Sequence, residues 1–306
     1  WYRVGLVDAI WGRPWRGGSS GGLLFAFNTQ SPSSPAMVSS LNLQETNSWW
    51  DFSDPHVADG LVYLSHQHSE FLPDVMPPGY VRPSPTIIVN EDGTRTTNVP
   101  PVGIWVSRNY LNVIDYADAA NPTVRKPVNI PNPLAGISHQ GSMLYTVGPH
   151  WDADFSTDWT QHLDASAYDG VTASLVDSLK LTNSWPEPLI LTGGNILTVE
   201  NGTDNRSQWL AWQLAVNGRF VRLSNQKLES APSSLKAFGD LLAVQLNQKI
   251  ALYDVSNIIA PAFLTSETMP GWIWPSLDYA DGSRQQGLWV PLSDYGVFSI
   301  PLGHAP

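Results

Sequence analysis

The 306 residues include no cysteine. Disulfides, thiolate metal sites and a cysteine nucleophile are thereby excluded; the compartment stays open, since exported bacterial chains often lack cysteine as well. Charge is scarce at 14% of residues, so the surface relies on Ser, Thr, Asn and Gln. Positive charge is scarcer still: Lys plus Arg is 16 against 27 for Asp plus Glu, a net charge of −11. A chain this acidic repels phosphate backbones, and no Lys/Arg cluster opposes the trend, so no nucleic-acid partner is expected. No apolar run approaches the roughly 20 residues that cross a bilayer, so no transmembrane segment is expected, and no signal peptide is legible. The chain opens at Trp1 rather than Met, which leads to the expectation of a processed or trimmed product. Low Lys with abundant Trp, Ser, Thr and Asn points to a secreted, periplasmic or cell-surface location.

Helical periodicity is nearly missing. Its best candidate, Ser174 to Leu181, reads better as another strand. Familiar catalytic signatures are missing too. The Gly17-Gly18-Ser19-Ser20-Gly21-Gly22 run lacks the Lys of a phosphate-binding loop, and neither a Gly-x-Ser-x-Gly elbow nor a His-Glu-x-x-His pair occurs.

What the chain does contain is a repeated phrase: an apolar strand ending in Asp or Asn, then Pro seven residues on. It runs from Leu23 through Asn28 to Pro35, from Tyr110 through Asp115 to Pro122, and from Ile250 through Asp254 to Pro261. The acid or amide bonds its own following backbone and stops the strand. Pro then sets an extended entry to the next one. A second strand type, often introduced by Gly, completes each unit: Gly60–Leu64, Ser142–Val147, Asn195–Val199, Asp240–Val244 and Gly287–Val290. Weaker copies of the first type are His162–Ala167, Trp209–Gln213 and Gly296–Ile300. Fixed spacing of this kind marks one supersecondary unit used repeatedly.

About four short antiparallel strands per unit predict an all-β chain forming one β-propeller domain over residues 1–306. Six blades fit best, with five or seven as alternatives. The N- and C-terminal strands, Tyr2–Val7 and Gly296–Ile300, are expected to share one blade and so close the ring without a free edge. That blade is short of strands, and sequence upstream of Trp1 is the expected source. Residues 69–109 lengthen one unit and carry seven Pro, from Pro73 to Pro101. The run Thr86–Thr94 reads as a strand entering an Asp92-Gly93 turn, which makes the insertion a hairpin on Pro-rich stems, projecting from one rim.

The strand from Leu111 to Asp115, the restart at Pro122 and the strand from Gly141 to Val147 resemble those of the LVIVD-repeat β-propellers. The resemblance covers most of the chain, although the units at 161–200 and 209–245 lack the Asp/Asn-to-Pro phrase. It implies the fold and an exported protein. It implies no activity, since that family has no shared catalytic motif.

Four groups of residues carry candidate chemistry. Asp152, Asp154, Ser156 and Asp158 alternate like the first ligands of a calcium loop, but Thr157 and Leu163 stand where such a loop has Gly and Glu. Calcium is the cofactor that loop suggests; the bland reading is a polar loop whose Asp side chains cap turns. His66, His68 and Glu70 alternate along a strand and share one face, a set that suits zinc. Tyr63 and Tyr145 hold equivalent strand positions, with His68 and His150 each five residues later and Asp294 at the same offset after Trp289. A His beside a carboxylate on a common rim can act as general acid or base. Lastly, Trp49, Trp50, Trp151, Trp159, Trp272 and Trp274 fall in or near loops, where indoles stack on sugars or grip a protein. Sequons at Asn201 and Asn205 matter only where the source glycosylates.

These readings lead to an exported binding or scaffold module that holds a protein or glycan partner on a Trp- and Asp-rich rim. The rival is a propeller hydrolase with a polar, metal-bearing funnel and His68, His150 and Asp294 at its centre. A third reading is a structural module of a larger surface chain.

Overall fold

The computed structural model describes residues 2–8, 22–28, 31, 34, 36–43, 53, 55–76, 79, 81, 84–98, 102–150, 160–182, 188–191, 193–201, 207–269, 277, 280–292 and 296–302. Over these residues the chain is built of antiparallel strands, with 3-10 conformation at His139–Gly141 and at Leu277 and no α-helix. The first sheet holds β1 (Tyr2–Asp8), β2 (Gly22–Asn28) and β3 (Ala36–Asn42). The second holds β4 (His56–Ala58) and β5 (Leu61–Pro73). After a separate hairpin of β6 (Thr86–Val89) and β7 (Arg95–Asn98), it continues with β8 (Gly103–Asp115), β9 (Thr123–Val124) and β10 (Val128–Ile130). The third is β11 (Leu134–Ser138), β12 (Met143–Pro149), β13 (Gln161–Tyr168) and β14 (Ala173–Lys180). The fourth is β15 (Leu189–Ile190), β16 (Asn195–Asn201), β17 (Ser207–Leu214) and β18 (Phe220–Lys227). The fifth is β19 (Ser234–Phe238), β20 (Leu241–Leu246), β21 (Lys249–Asp254) and β22 (Ala262–Thr268). The sixth is β23 (Asp281–Ser283), β24 (Gly287–Pro291) and β25 (Val297–Ile300).

Local chemistry explains the strand ends. Asp115 Oδ1 accepts the Ala117 N–H at 2.9 Å, and Asp254 Oδ1 accepts the Ser256 N–H at 3.0 Å. The units without the repeated phrase make the same turn from other positions. Asp169 receives the N–H groups of Val171 and Thr172, and Asn217 receives that of Arg219. Pro127, which has no N–H to give a ladder, separates β9 from β10 along the edge of β8.

A second repeat is legible only in the register. In four sheets the pairing between the last two strands slips at one equivalent point, leaving Val38, Val176, Leu223 and Leu264 as the extra residues. Each is a half-buried aliphatic side chain. A bulge raises the local twist, so these outer strands coil away from their neighbours.

Consecutive sheets pack face to face. Period-2 alternation sends Leu242, Val244 and Leu246 of β20 into the core shared with the fourth sheet, and Leu241 and Ala243 into the core shared with the sixth. All six residues of β20 are therefore buried, and the strand reads as a continuous apolar run broken only by Gln245. Tyr145 and Leu144 divide β12 in the same way, as Ile114 and Val113 divide β8. First strands also meet in order, β11 with β15, β15 with β19 and β19 with β23.

One expectation is corrected. Tyr2–Asp8 pairs with β2, with Val4 opposite Ala26, whereas Val297–Ile300 pairs with β24. The two terminal strands thus lie in different sheets. Each pairs with its neighbour in sequence, the connection that short antiparallel strands make most readily.

Residues 69–109 begin and end in long paired strands. β5 and β8 stay paired from Leu61 opposite Asp115 to Pro73 opposite Gly103, so a two-stranded ribbon runs out of the second sheet. Its continuation, β6 and β7, is exposed at all eight positions.

Candidate functional site

The third sheet carries a charged group that its repeat position does not call for. Counting back three residues from the strand-end positions Asp115, Ala167, Gln213 and Asp254 gives Asn112, Asp164, Leu210 and Ala251. Two are polar and two apolar. Asp164 is 0% exposed, enclosed between Leu163 and Ala165 on a buried strand. A carboxylate in that setting needs donors. His150 Nε2 lies 2.9 Å from Oδ1 and 3.1 Å from Oδ2, and Asn132 Nδ2 donates to Oδ2 at 3.1 Å.

The partner groups fix the imidazole protons. The carboxylate accepts, so His150 Nε2 carries hydrogen and Nδ1 is left as the acceptor nitrogen. The His162 ring stacks on His150 with centroids 4.0 Å apart and planes within 9°. Its Nδ1 lies 3.1 Å from the Thr160 carbonyl oxygen, so that nitrogen donates and Nε2 is left as the acceptor. The His150 side chain is 41% exposed while Asp164 is sealed beneath it. A water-accessible imidazole is thus oriented by a buried carboxylate, the arrangement of a general base and its positioning group. Close packing holds the amide in place: a Cβ at Gly148 would overlap Asn132.

A polar seam continues into the second sheet. Asn109 Nδ2 donates to the Pro131 carbonyl at 3.4 Å, and Ser65 Oγ accepts the Leu134 N–H at 2.8 Å. Leu134 stands opposite Thr146, so β5 and β12 run level and the ribbon leaves from the same end as His150. His66 is 4% exposed, takes a hydrogen bond at Nδ1 from Asn112 Nδ2 at 2.5 Å, and stacks on Tyr110. Burial, helped by the nearby charge of His68, pushes the His66 pKa down to about 4. That imidazole is neutral at neutral pH, and it lies on the face of β5 that carries Val62 and Leu64, toward the first sheet.

The sequence-nominated residues separate accordingly. His150 joins a carboxylate, but its partner is Asp164. His66, His68 and Glu70 share a face along β5, opposite Tyr110, Arg108 and Val106. Glu70 pairs with Arg108 at 3.4 Å in an exposed contact, which stabilises little. Among the described residues no three His, Asp or Glu side chains are grouped as metal ligands. Trp49, Trp50, Trp151, Trp159, Trp272 and Trp274 lie outside the described residues, as do Asp152, Asp154, Ser156, Asp158 and Asp294. Sequence reasoning missed Asp164 and Asn132. The available signal was an acid interrupting an apolar strand at the position where the fifth unit has Ala251.

The ribbon presents a different chemistry. Phe71 and Trp105 face each other across it with ring centroids 5.4 Å apart, and Trp105 is 72% exposed. At the tip, Ile87 is 61% and Val89 63% exposed on one face, with Ile88 on the other. Comparison of the chain with models of known families and with curated proteins finds no match.

Proposed function

We propose that the chain is an exported, LVIVD-type β-propeller of six blades that works as a binding module and grips a protein partner with its ribbon. Six antiparallel sheets packing consecutively, four with the same bulge, support the propeller reading. The observation that carries the function is the ribbon itself. A short two-stranded hairpin is marginally stable alone. This one keeps Ile87, Ile88, Val89 and Trp105 in water, a cost that a partner's apolar surface would remove. Aliphatic side chains at the tip favour protein over glycan; a glycan would suit the Trp-bearing connections instead.

The test is photocrosslinking in the producing cells. A crosslinker at Trp105 is expected to trap discrete partner species, and one at Phe263, exposed on β22, is not. Replacing residues 74–102 with an Asn-Gly turn should abolish partner recovery in an affinity pull-down while leaving thermal unfolding of the body unchanged. Equal labelling from both positions would refute the ribbon's role.

A hydrolase is the second reading, favoured by His150 and Asp164. There His150 Nδ1 would take a proton from water attacking a bound substrate, and Asp164 would hold the ring and offset the charge it gains. His150→Gln should then lower turnover at least a hundredfold with little change in KM.

A further inference from the structure

At the far end of β12 from His150 lies a cavity of about 360 Å³, bounded by the inner ends of the second, third and fourth sheets. His56, Val57, Ile137, His139, Gln140 and Ile190 supply its character. Its wall is aliphatic, its mouth carries imidazole and amide groups, and among the described residues no Asp, Glu, Lys or Arg lines it.

The most contorted backbone among the described residues borders this cavity. His139, Gln140 and Gly141 are successive left-handed residues, with φ of 50°, 59° and 86°. Such a conformation is unfavourable for side-chain-bearing residues and persists only where surroundings over-determine it. They do so here. The Ser142 hydroxyl donates to the His139 carbonyl at 2.8 Å, and the Ser142 N–H approaches the same oxygen at 3.2 Å. The Tyr63 ring fills the space where a Cβ at residue 141 would stand, so only glycine fits.

The turn also fixes a tautomer. Tyr145 is fully buried, and its hydroxyl lies 3.1 Å from Ser138 Oγ, which lies 2.8 Å from His139 Nδ1. Ser138 Oγ is the partner that the buried Tyr145 hydroxyl reaches among the described residues, so the phenol donates to Ser138. Ser138 then donates to His139 Nδ1, and Nε2 holds the ring's own hydrogen. The result is an N–H donor on a strained, braced turn beside an apolar wall.

We infer that this cavity binds a small uncharged carbonyl compound, its oxygen accepting from His139 and its apolar body lying against Val57, Ile137 and Ile190. A charged ligand would lose water there without a fixed counter-charge. A pure hydrocarbon would offer the His139 N–H no acceptor. The volume suits a ligand of about ten heavy atoms.

Isothermal titration with benzamide, benzoate and toluene tests this at neutral pH. Benzamide is expected to bind with one-to-one stoichiometry, and the other two at least tenfold more weakly. His139→Phe, which keeps the ring volume, should weaken benzamide at least tenfold. Ser138→Ala should weaken it about threefold by freeing the tautomer. Val216→Thr, on an exposed turn, should change nothing. Should His139→Phe melt early, Ser138→Ala alone decides. Absence of benzamide binding, equal binding of benzoate, or affinity indifferent to both variants would overturn the assignment.

Discussion

The boundary between the second and third sheets and the boundary between the fourth and fifth are made of equivalent strands and solve burial in opposite ways. In the first, Ser65, Asn109, Asn132, Thr146 and Asp164 are buried polar groups. In the second, Leu242, Val244, Leu246, Ala251 and Trp209 close an apolar wall around Tyr253. Thr146 stands opposite Asp164 as Val244 stands opposite Ala251. A repeat scaffold needs only similar volume at each position, so a polar network can replace a hydrophobic contact where every donor finds an acceptor. The seam falls short of that standard: Asn109 Oδ1 and Thr146 Oγ1 are buried without a hydrogen-bond partner. The apolar wall carries one such group too, Trp209 Nε1. The seam lies beneath His150 and the root of the ribbon.

The largest expected effect comes from moving the charge into the wall. Ala251→Asp buries a carboxylate with neither imidazole nor amide to receive it, and should cost on the order of 4 kcal/mol in urea unfolding. A loss below about 1 kcal/mol would dissolve the contrast between the boundaries.

Next is the acid response of the second sheet's other face, where His66 is buried toward the first sheet. The His66 pKa is about 4 folded and about 6.5 unfolded. The unfolded chain therefore takes up the proton first as pH falls. Stability is complete above about pH 6.5, declines as pH drops toward 4, and then levels; the total loss is at most about 3 kcal/mol. Chemical unfolding across that range should show the slope in the native protein and a flatter line in His66→Gln.

The smallest effect sharpens the comparison from both sides. Thr146→Val removes an unpartnered hydroxyl at constant shape and should stabilise by about 1 kcal/mol, and the reciprocal Val244→Thr should destabilise by about 1–2 kcal/mol. Thermal melts read both signs. Loss of stability in Thr146→Val would mean that its hydroxyl makes a bond the protein depends on.

Much of the architecture was legible residue by residue. Asp115 and Asp254 end their strands by bonding their own backbone, chemistry local enough to be read from spacing. The weaker units were harder because Asp169 and Asn217 do the same work displaced from the phrase. Gln140 in a left-handed turn gave no compositional signal, since its conformation is imposed by Tyr63, Ser138 and Ser142 around it.

The sequence by itself determined strand type and the turn chemistry between strands, because period-2 burial, Asp and Asn turns and Pro act over a few residues. Tertiary structure alone decided which imidazole meets which carboxylate. His150 and Asp164 are brought together by the register of β12 on β13, and Asn132 reaches them from a preceding connection. Those contacts depend on how strands and sheets pack, and spacing along the chain carries no record of that.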